Sequence, residues 1–270
     1  MKKILENIRY DLYRSMFRKS YVVKIILIAA VCLMSQVDVL RDLCYGRSLE
    51  GYDIIGVYNF IIHFDRFKIV LLVIIASIYT DSFCVDFNCH YLKYIIVRSG
   101  LKIYIISRII AICISGIIAY IGGVTVYFII LASKMPLTEL ENPIFPQEAF
   151  ASFEELPPHE HAWLWLTLTS VLFILSVLIF CVAGFYLSIF LTDSLAAICM
   201  PTILYFALAS VTFLFPEILY IPSYGNNVLL LNGGMWVNYF YKILVNIAGI
   251  VLFTALSYLK LRRKGYEGVL

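Results

Sequence analysis

The sequence predicts an all-α membrane protein with six transmembrane helices. Three observations point there. Hydrophobic residues make up 62% of the chain and charged residues only 14%, against about a quarter charged in a soluble domain. Apolar runs near the ~20 residues that cross a bilayer as a helix recur along the 270-residue chain. The cations are also segregated, gathering in the N-terminal 24 residues, in one central loop and near the C-terminus. Such segregation sets orientation in a membrane.

Residues 1–20 form the first element. Ile4, Leu5, Ile8, Leu12 and Met16 share one helical face, while Lys2, Lys3, Arg14 and Arg18 lie mainly off it. This pattern predicts an amphipathic helix in the interface plane, its cations toward anionic headgroups. A basic segment this long, with no small-residue cleavage site after the first apolar run, does not read as a cleaved signal peptide. The first span is expected over Tyr21–Val37, with Lys24 snorkelling at its start. A polar external stretch follows. The second span is expected over Tyr58–Thr80, which puts His63, Asp65, Arg66 and Lys68 in its outer half. Ionisable residues at that depth are a candidate pathway cluster, although headgroups or a partner helix would also satisfy them.

The third span is expected over Ile103–Ala132, where Gly116, Gly122 and Gly123 permit close helix approach. Residues 134–161 carry five prolines and six glutamates and read as an acidic external loop. Trp163 and Trp165 mark the outer interface of a fourth span over Trp163–Phe190. The turn Thr192-Asp193-Ser194 leads into a fifth over Leu195–Phe215, with Pro201 expected to end or bend its first turn. Residues 216–235 are too broken by proline, glycine and asparagine to cross. They fit a re-entrant segment covered by protein. The sixth span is expected over Trp236–Leu259, followed by Lys260, Arg262, Arg263 and Lys264.

Charge bookkeeping supports this topology. The segments assigned to the cytoplasm hold fifteen of the 21 cations and six of the 18 acids. Both termini are therefore expected in the cytoplasm, and the membrane is expected to be the plasma membrane. The net charge of +3 follows from topology and gives no reason to expect a nucleic-acid partner.

The stretch between the second and third spans organises the rest. Within it, Tyr91, Leu92, Ile95 and Ile96 recur at helical spacing, and Arg98-Ser99-Gly100 supplies a stop. This predicts a short amphipathic helix lying across the cytoplasmic face and docking on something, with Tyr91, Leu92, Tyr94, Ile95 and Arg98 as contact residues. A loop resting on lipid is the plainer reading of the same pattern.

Catalytic chemistry is missing. The chain has no phosphate-binding Gly-x-x-x-x-Gly-Lys-Ser/Thr loop, no Gly-x-Ser-x-Gly and no His-Glu-x-x-His. No catalytic residue is expected, and no cofactor bound by this chain. Cys84, Cys89 and His90 match no closed zinc site. His159-Glu160-His161 reads as loop polarity before a tryptophan interface, so no metal is expected. Six of the seven cysteines fall in spans or the central loop and only Cys44 is placed outside, which argues against an external disulfide.

The order of these elements resembles the permease subunit of type-two ATP-binding-cassette exporters. That family has an interfacial N-terminal helix, six spans, a helical cytoplasmic loop after span two and a re-entrant segment before span six. The most local likeness is an acid near the end of span two, here Asp81 or Asp86, then the aliphatic-aromatic helix Tyr91–Val97, then the pair Ser107-Arg108 opening span three. Where the family often has Gly-Thr after the acid, this chain has Asn88-Cys89-His90. The resemblance implies that Tyr91–Arg98 is a coupling helix seated in a separate ATPase subunit. ATP and Mg would be held there, and a second permease chain, identical or similar, would complete the transporter. It implies export of a substrate such as a peptide, drug or lipid. A non-transporting membrane sensor or immunity protein is the alternative; an intramembrane enzyme would need a nucleophile–base pair that the chain does not offer.

Overall fold

The computed structural model describes residues 2–35, 37, 41, 42, 45, 52–63, 65–138, 160–191, 193–211 and 230–266. Most of the expected external loop (139–159), most of the re-entrant segment (216–229) and the end of the fifth span (212–215) lie outside these residues. Among the described residues every regular element is helical: α1 Lys2–Met16, α2 Lys19–Met34, α3 Ile54–His63, α4 Asp65–Tyr79, α5 Ser82–Asn88, α6 Leu92–Ser99, α7 Leu101–Ala132, α8 Ala162–Ser188, α9 Ser194–Ser210 and α10 Gly234–Tyr266. Four stretches are long and apolar enough to cross a membrane: Arg66–Asn88, Leu101–Ala132, Ala162–Ser188 and Gly234–Gly265. The expected first and fifth spans overlap α2 and α9, of 16 and 17 residues, and α9 is a shorter apolar helix.

The core lies where α7 and α8 meet their neighbours. α7 packs on α1, α2, α4 and α10, and α8 packs on α9 and α10. Glycine makes the closest of these approaches. A Cβ at Gly123 would stand 2.4 Å from Ile28 of α2, and one at Gly184 would stand 2.6 Å from the Pro201 ring of α9. The second contact brings in Pro201, expected to end or bend its helix, and it does not end it. α9 runs unbroken from Ser194 through Pro201 to Ser210, with Asp193 capping its start by accepting from the Leu195 N–H at 3.1 Å. The buried proline ring fills the notch that Gly184 leaves open.

The second expected span, Tyr58–Thr80, falls on α3 and α4, and the apolar stretch long enough to cross there runs Arg66–Asn88 among the described residues. Both faces of α3 are buried, and its start is tied to the chain beyond α7 by the Ile54 and Ile55 N–H groups, which donate to Pro136 and Leu137 carbonyls at 3.2 and 3.3 Å. The N-terminal helix packs part of its surface on the rest of the chain. Leu12 and Met16 pack against the protein core and Asp11 and Ser15 are buried, whereas Tyr10, Tyr13 and Phe17 are exposed. A polar pair inside the inward face selects protein over hydrocarbon, since lipid offers those groups no partner.

At 1.5 Å per residue α7 is about 48 Å long, roughly 18 Å more than the hydrocarbon core requires. Its first turns carry Lys102 and Arg108. That end, with α1, α5, α6 and the last turns of α10, gathers the cations into one layer. There Lys264 donates to the Ile189 carbonyl at 2.5 Å and Lys260 lies 4.7 Å from the Phe190 ring centroid, closing the C-terminal end of α8. At the other end of α10, the Asn238 amide accepts from the Leu230 and Leu231 N–H groups, both at 2.7 Å. It thereby fixes the described tail of the expected re-entrant segment to the helix.

Candidate functional site

The site is the short helix α6 and the buried charge cluster beneath it. α5 ends in a paired-hydrogen-bond turn: the His90 N–H donates to the Phe87 carbonyl and the Tyr91 N–H to the Asp86 carbonyl, both at 3.0 Å. This closes the helix through one residue in the left-handed region. That residue is His90, at φ 57°, where glycine would be the unstrained choice. α6 then runs eight residues and stops at Gly100, whose φ of 85° turns the chain into α7.

α6 is two-faced. Leu92 is 3% exposed, and Ile95 and Ile96 pack against the core. Tyr91, Tyr94 and Val97 are 64%, 75% and 83% exposed, with Arg98 exposed beside them. Of the five contact residues expected from sequence, Tyr91, Tyr94 and Arg98 are therefore open to a partner. Leu92 is corrected to an inward anchor because its side chain is already buried in this chain, and Ile95 is half-buried. Val97 joins the outward face. The helical period could have shown it, since it lies three residues from Tyr94.

Under α6 lie two carboxylates and two guanidinium groups. Asp86 is 1% exposed, Arg108 1% and Asp11 4%. Arg108 donates through Nη2 to Asp86 Oδ2 at 2.6 Å, and its Nη1 lies 2.9 Å from Asp11 Oδ1 as an ion pair. Arg14 donates to Asp86 Oδ1 at 2.5 Å. The Tyr104 hydroxyl donates to Asp86 Oδ2 at 3.1 Å and the Tyr79 hydroxyl to Asp11 Oδ1 at 3.3 Å. Those same two rings flank the Arg108 guanidinium, at 5.1 and 5.2 Å from ring centroid to Cζ. The charges balance, and the partners come from α1, α4, α5 and α7. Burial raises the Asp11 carboxyl above the ordinary carboxylate value, with the attraction of Arg108 opposing that rise.

Asp86 therefore has two jobs. Its carbonyl closes the turn that launches α6, and its carboxylate fixes that turn to α1 and α7. The resemblance offers Asp81 or Asp86 as the acid near the end of the second span; of the two, Asp86 is the one that pairs with Arg108. Asp11 was legible only as a cytoplasmic charge and Arg14 only as a headgroup cation, because their partners lie far along the chain. Arg14 and Asp86 are 72 residues apart.

The outer polar residues do not form a described cluster. Lys68 is buried and Arg66 exposed. The side chains of His63 and Asp65 lie outside the described residues. Among the described residues no group of three or more His, Cys, Asp or Glu is placed to hold a metal ion. Comparison with known proteins finds no matching family model, no matching curated protein and no matching solved structure.

Proposed function

We propose that this chain is the permease subunit of an ATP-driven exporter of the type-two ATP-binding-cassette kind, with six spans and both termini in the cytoplasm. In this reading α2, the α4–α5 stretch, α7, α8, α9 and α10 are the spans, and α6 seats in a separate ATPase subunit that holds ATP and Mg. A second permease chain, identical or similar, completes the path for a peptide, drug or lipid. One observation carries the reading. α6 presents two tyrosines and a valine outward from a mount fixed by a buried, charge-balanced cluster. A helix merely resting on lipid has no need of that mount.

The mount also suggests how force would travel. A push on α6 acts on the Asp86 turn, and Asp86 is held by Arg14 of α1 and Arg108 of α7. Displacing α6 therefore either moves α1 and α7 with it or breaks buried ion pairs, which is costly. ATP-driven motion of the partner would reach the spans by the first route.

The experiment is copurification of the ATPase with permease carrying Tyr91→Ala and Tyr94→Ala. Side-chain burial is worth about 1.5–3 kcal/mol each, and losing an interface anchor costs about 2 kcal/mol or more. Association should weaken by about 10³-fold, with permease levels in the membrane unchanged because both side chains are exposed. A photo-crosslinker at Tyr94 should capture a protein carrying a phosphate-binding loop. Undiminished copurification with the double variant, or capture of no ATPase, refutes the proposal.

A further inference from the structure

We propose that the ATPase surface receiving α6 is a groove with an apolar floor and a carboxylate on each lip. The inference rests on the reading of α6 as the seat for a separate ATPase and adds the chemistry of that partner. At about 3.6 residues per turn, the outward face of α6 reads from edge to edge Lys93, Val97, Tyr94, Arg98 and Tyr91. Leu92, Ile95 and Ile96 hold the opposite side, turned into the chain. Val97 and Tyr94 thus form an exposed apolar ridge. Lys93 flanks it on one edge and Arg98 on the other, both exposed.

Neither flanking cation is neutralised from within the chain. Between Asp86 and Glu139 the sequence holds no acid, so the turns around α6 supply none. Asp86 and Asp11 are buried and paired with Arg14 and Arg108. Among the described residues neither Lys93 nor Arg98 has a carboxylate within ion-pair distance. A partner that covers the ridge must therefore meet a cation at each side. A neutral apolar lip would take water from those cations and return nothing, which is costly, and a basic lip would repel them. A carboxylate on each lip answers both, and it steers the partner to this face before contact. Between the lips, Tyr94 and Val97 need an apolar floor. A lipid surface is the poorer occupant. Leu92, Ile95 and Ile96, the side chains that acyl chains would bury, already pack on the chain.

The test uses the full chain in its native membrane and the protein that a photo-crosslinker at Tyr94 captures, identified as an ATPase by its phosphate-binding loop. A water-soluble carbodiimide joins an amine to a carboxylate in contact with it. It should link Lys93 to an Asp or Glu of that ATPase, and in an Arg98→Lys variant it should link position 98 as well. Lys93→Glu with Arg98→Glu should weaken copurification of the ATPase by about 10²-fold, because like charges would then face each other across both lips. Arg9→Glu with Lys19→Glu reverses the same charge at exposed positions of α1 and α2 and should leave copurification within about threefold of wild type. If Tyr94 captures the ATPase but the carbodiimide links neither edge to it, the acidic groove is overturned while the docking of α6 stands. The same holds if the Lys93 and Arg98 reversal copurifies undiminished, or if both double variants lose equally, since binding would then follow net charge alone. Capture of lipid and no ATPase at Tyr94 overturns the docking reading and the groove together.

Discussion

Replacing Arg108 with leucine would leave Asp11 and Asp86 buried beside Tyr79 and Tyr104, with only Arg14 to balance them. Removing one partner from a buried charge cluster costs about 3–5 kcal/mol, so the variant should lose most of its folded yield and unfold at a much lower temperature in detergent. Leu191→Ala, in the turn between α8 and α9, should leave that temperature nearly unchanged. Asp11 gives a finer test through pH. Burial raises its carboxyl, so the native state takes up a proton more readily than the unfolded chain does. Its contribution to stability therefore falls as pH rises from the ordinary carboxylate value through the raised one, and recovers on acidification. Comparing wild type with Asp11→Asn between pH 7 and pH 4.5, the difference in Tm should shift toward wild type at the lower pH. A shift the other way would mean that Arg108 outweighs burial. His90 is a separate case. A left-handed residue other than glycine costs about 1–2 kcal/mol, so His90→Gly should stabilise the α5–α6 turn by about 1 kcal/mol, read as a rise in Tm. These residues mark the limit of what local sequence can show. The family resemblance singles out Arg108 and offers two acids, but which acid meets Arg108, and the reach of α1 into the same cluster, depend on the tertiary fold.

Among the elements, helices were easier to read from sequence than their contacts. The apolar runs expected as the third, fourth and sixth spans fall on α7, α8 and α10, each long and apolar enough to cross a membrane, because a long unbroken run has no alternative to a helix in a bilayer. The expected second span takes in Tyr58–Ile62, which lie in α3, and α3 is buried on both faces. Glycines at Gly122 and Gly123 mark the α2–α7 contact as expected, with Ile25 and Ile28 against them. Gly184 and Gly249 carried no such signal, since single glycines in a span lack the paired pattern. What faces each glycine ranks their substitutions. A Cβ at Gly184 meets a rigid proline ring, and one at Gly123 meets Ile28 at its branch point, 2.6 Å from Cβ. A Cβ at Gly249 meets the Cδ1 of Ile179 at 2.2 Å, the free end of a side chain that can turn aside. Alanine at Gly184 or Gly123 should therefore cost about 1–3 kcal/mol by overpacking. At Gly249 it should cost under about 1 kcal/mol, the relief of a rotamer change. Thermal unfolding of the three variants checks the order, and a Gly249→Ala variant less stable than Gly184→Ala would contradict it.

For the whole molecule, charge carries more information than hydropathy. Apolar runs say where the chain can cross, but every span looks alike from either side of a membrane. The asymmetry of fifteen cations against six acids in the segments placed inside breaks that symmetry. The structure adds a consistency that composition alone could not supply. Arg14, Lys93, Arg98, Lys102, Arg108, Lys260 and Arg262 come from α1, α6, α7 and α10, yet gather at one end of the bundle. The N-terminal end of α7, the C-terminal end of α8 and the C-terminal end of α10 all reach that layer. The chain beyond α7 and the start of α8 must then lie on the opposite side. This arrangement fixes a labelling pattern. In a variant with its seven native cysteines replaced by alanine or serine, new cysteines are placed singly at Ser133, Glu160, Tyr94 and Arg263, all exposed. A membrane-impermeant maleimide added to intact cells should label Ser133→Cys and Glu160→Cys. Tyr94→Cys and Arg263→Cys should stay unlabelled until the membrane is permeabilised. Labelling of Arg263→Cys from outside would change the number of crossings, because α10 would then end on the same side as the start of α8. Labelling of Tyr94→Cys from outside would be more serious. It would place α6 away from any ATPase and turn the charged layer to the exterior, refuting the orientation on which the coupling helix depends.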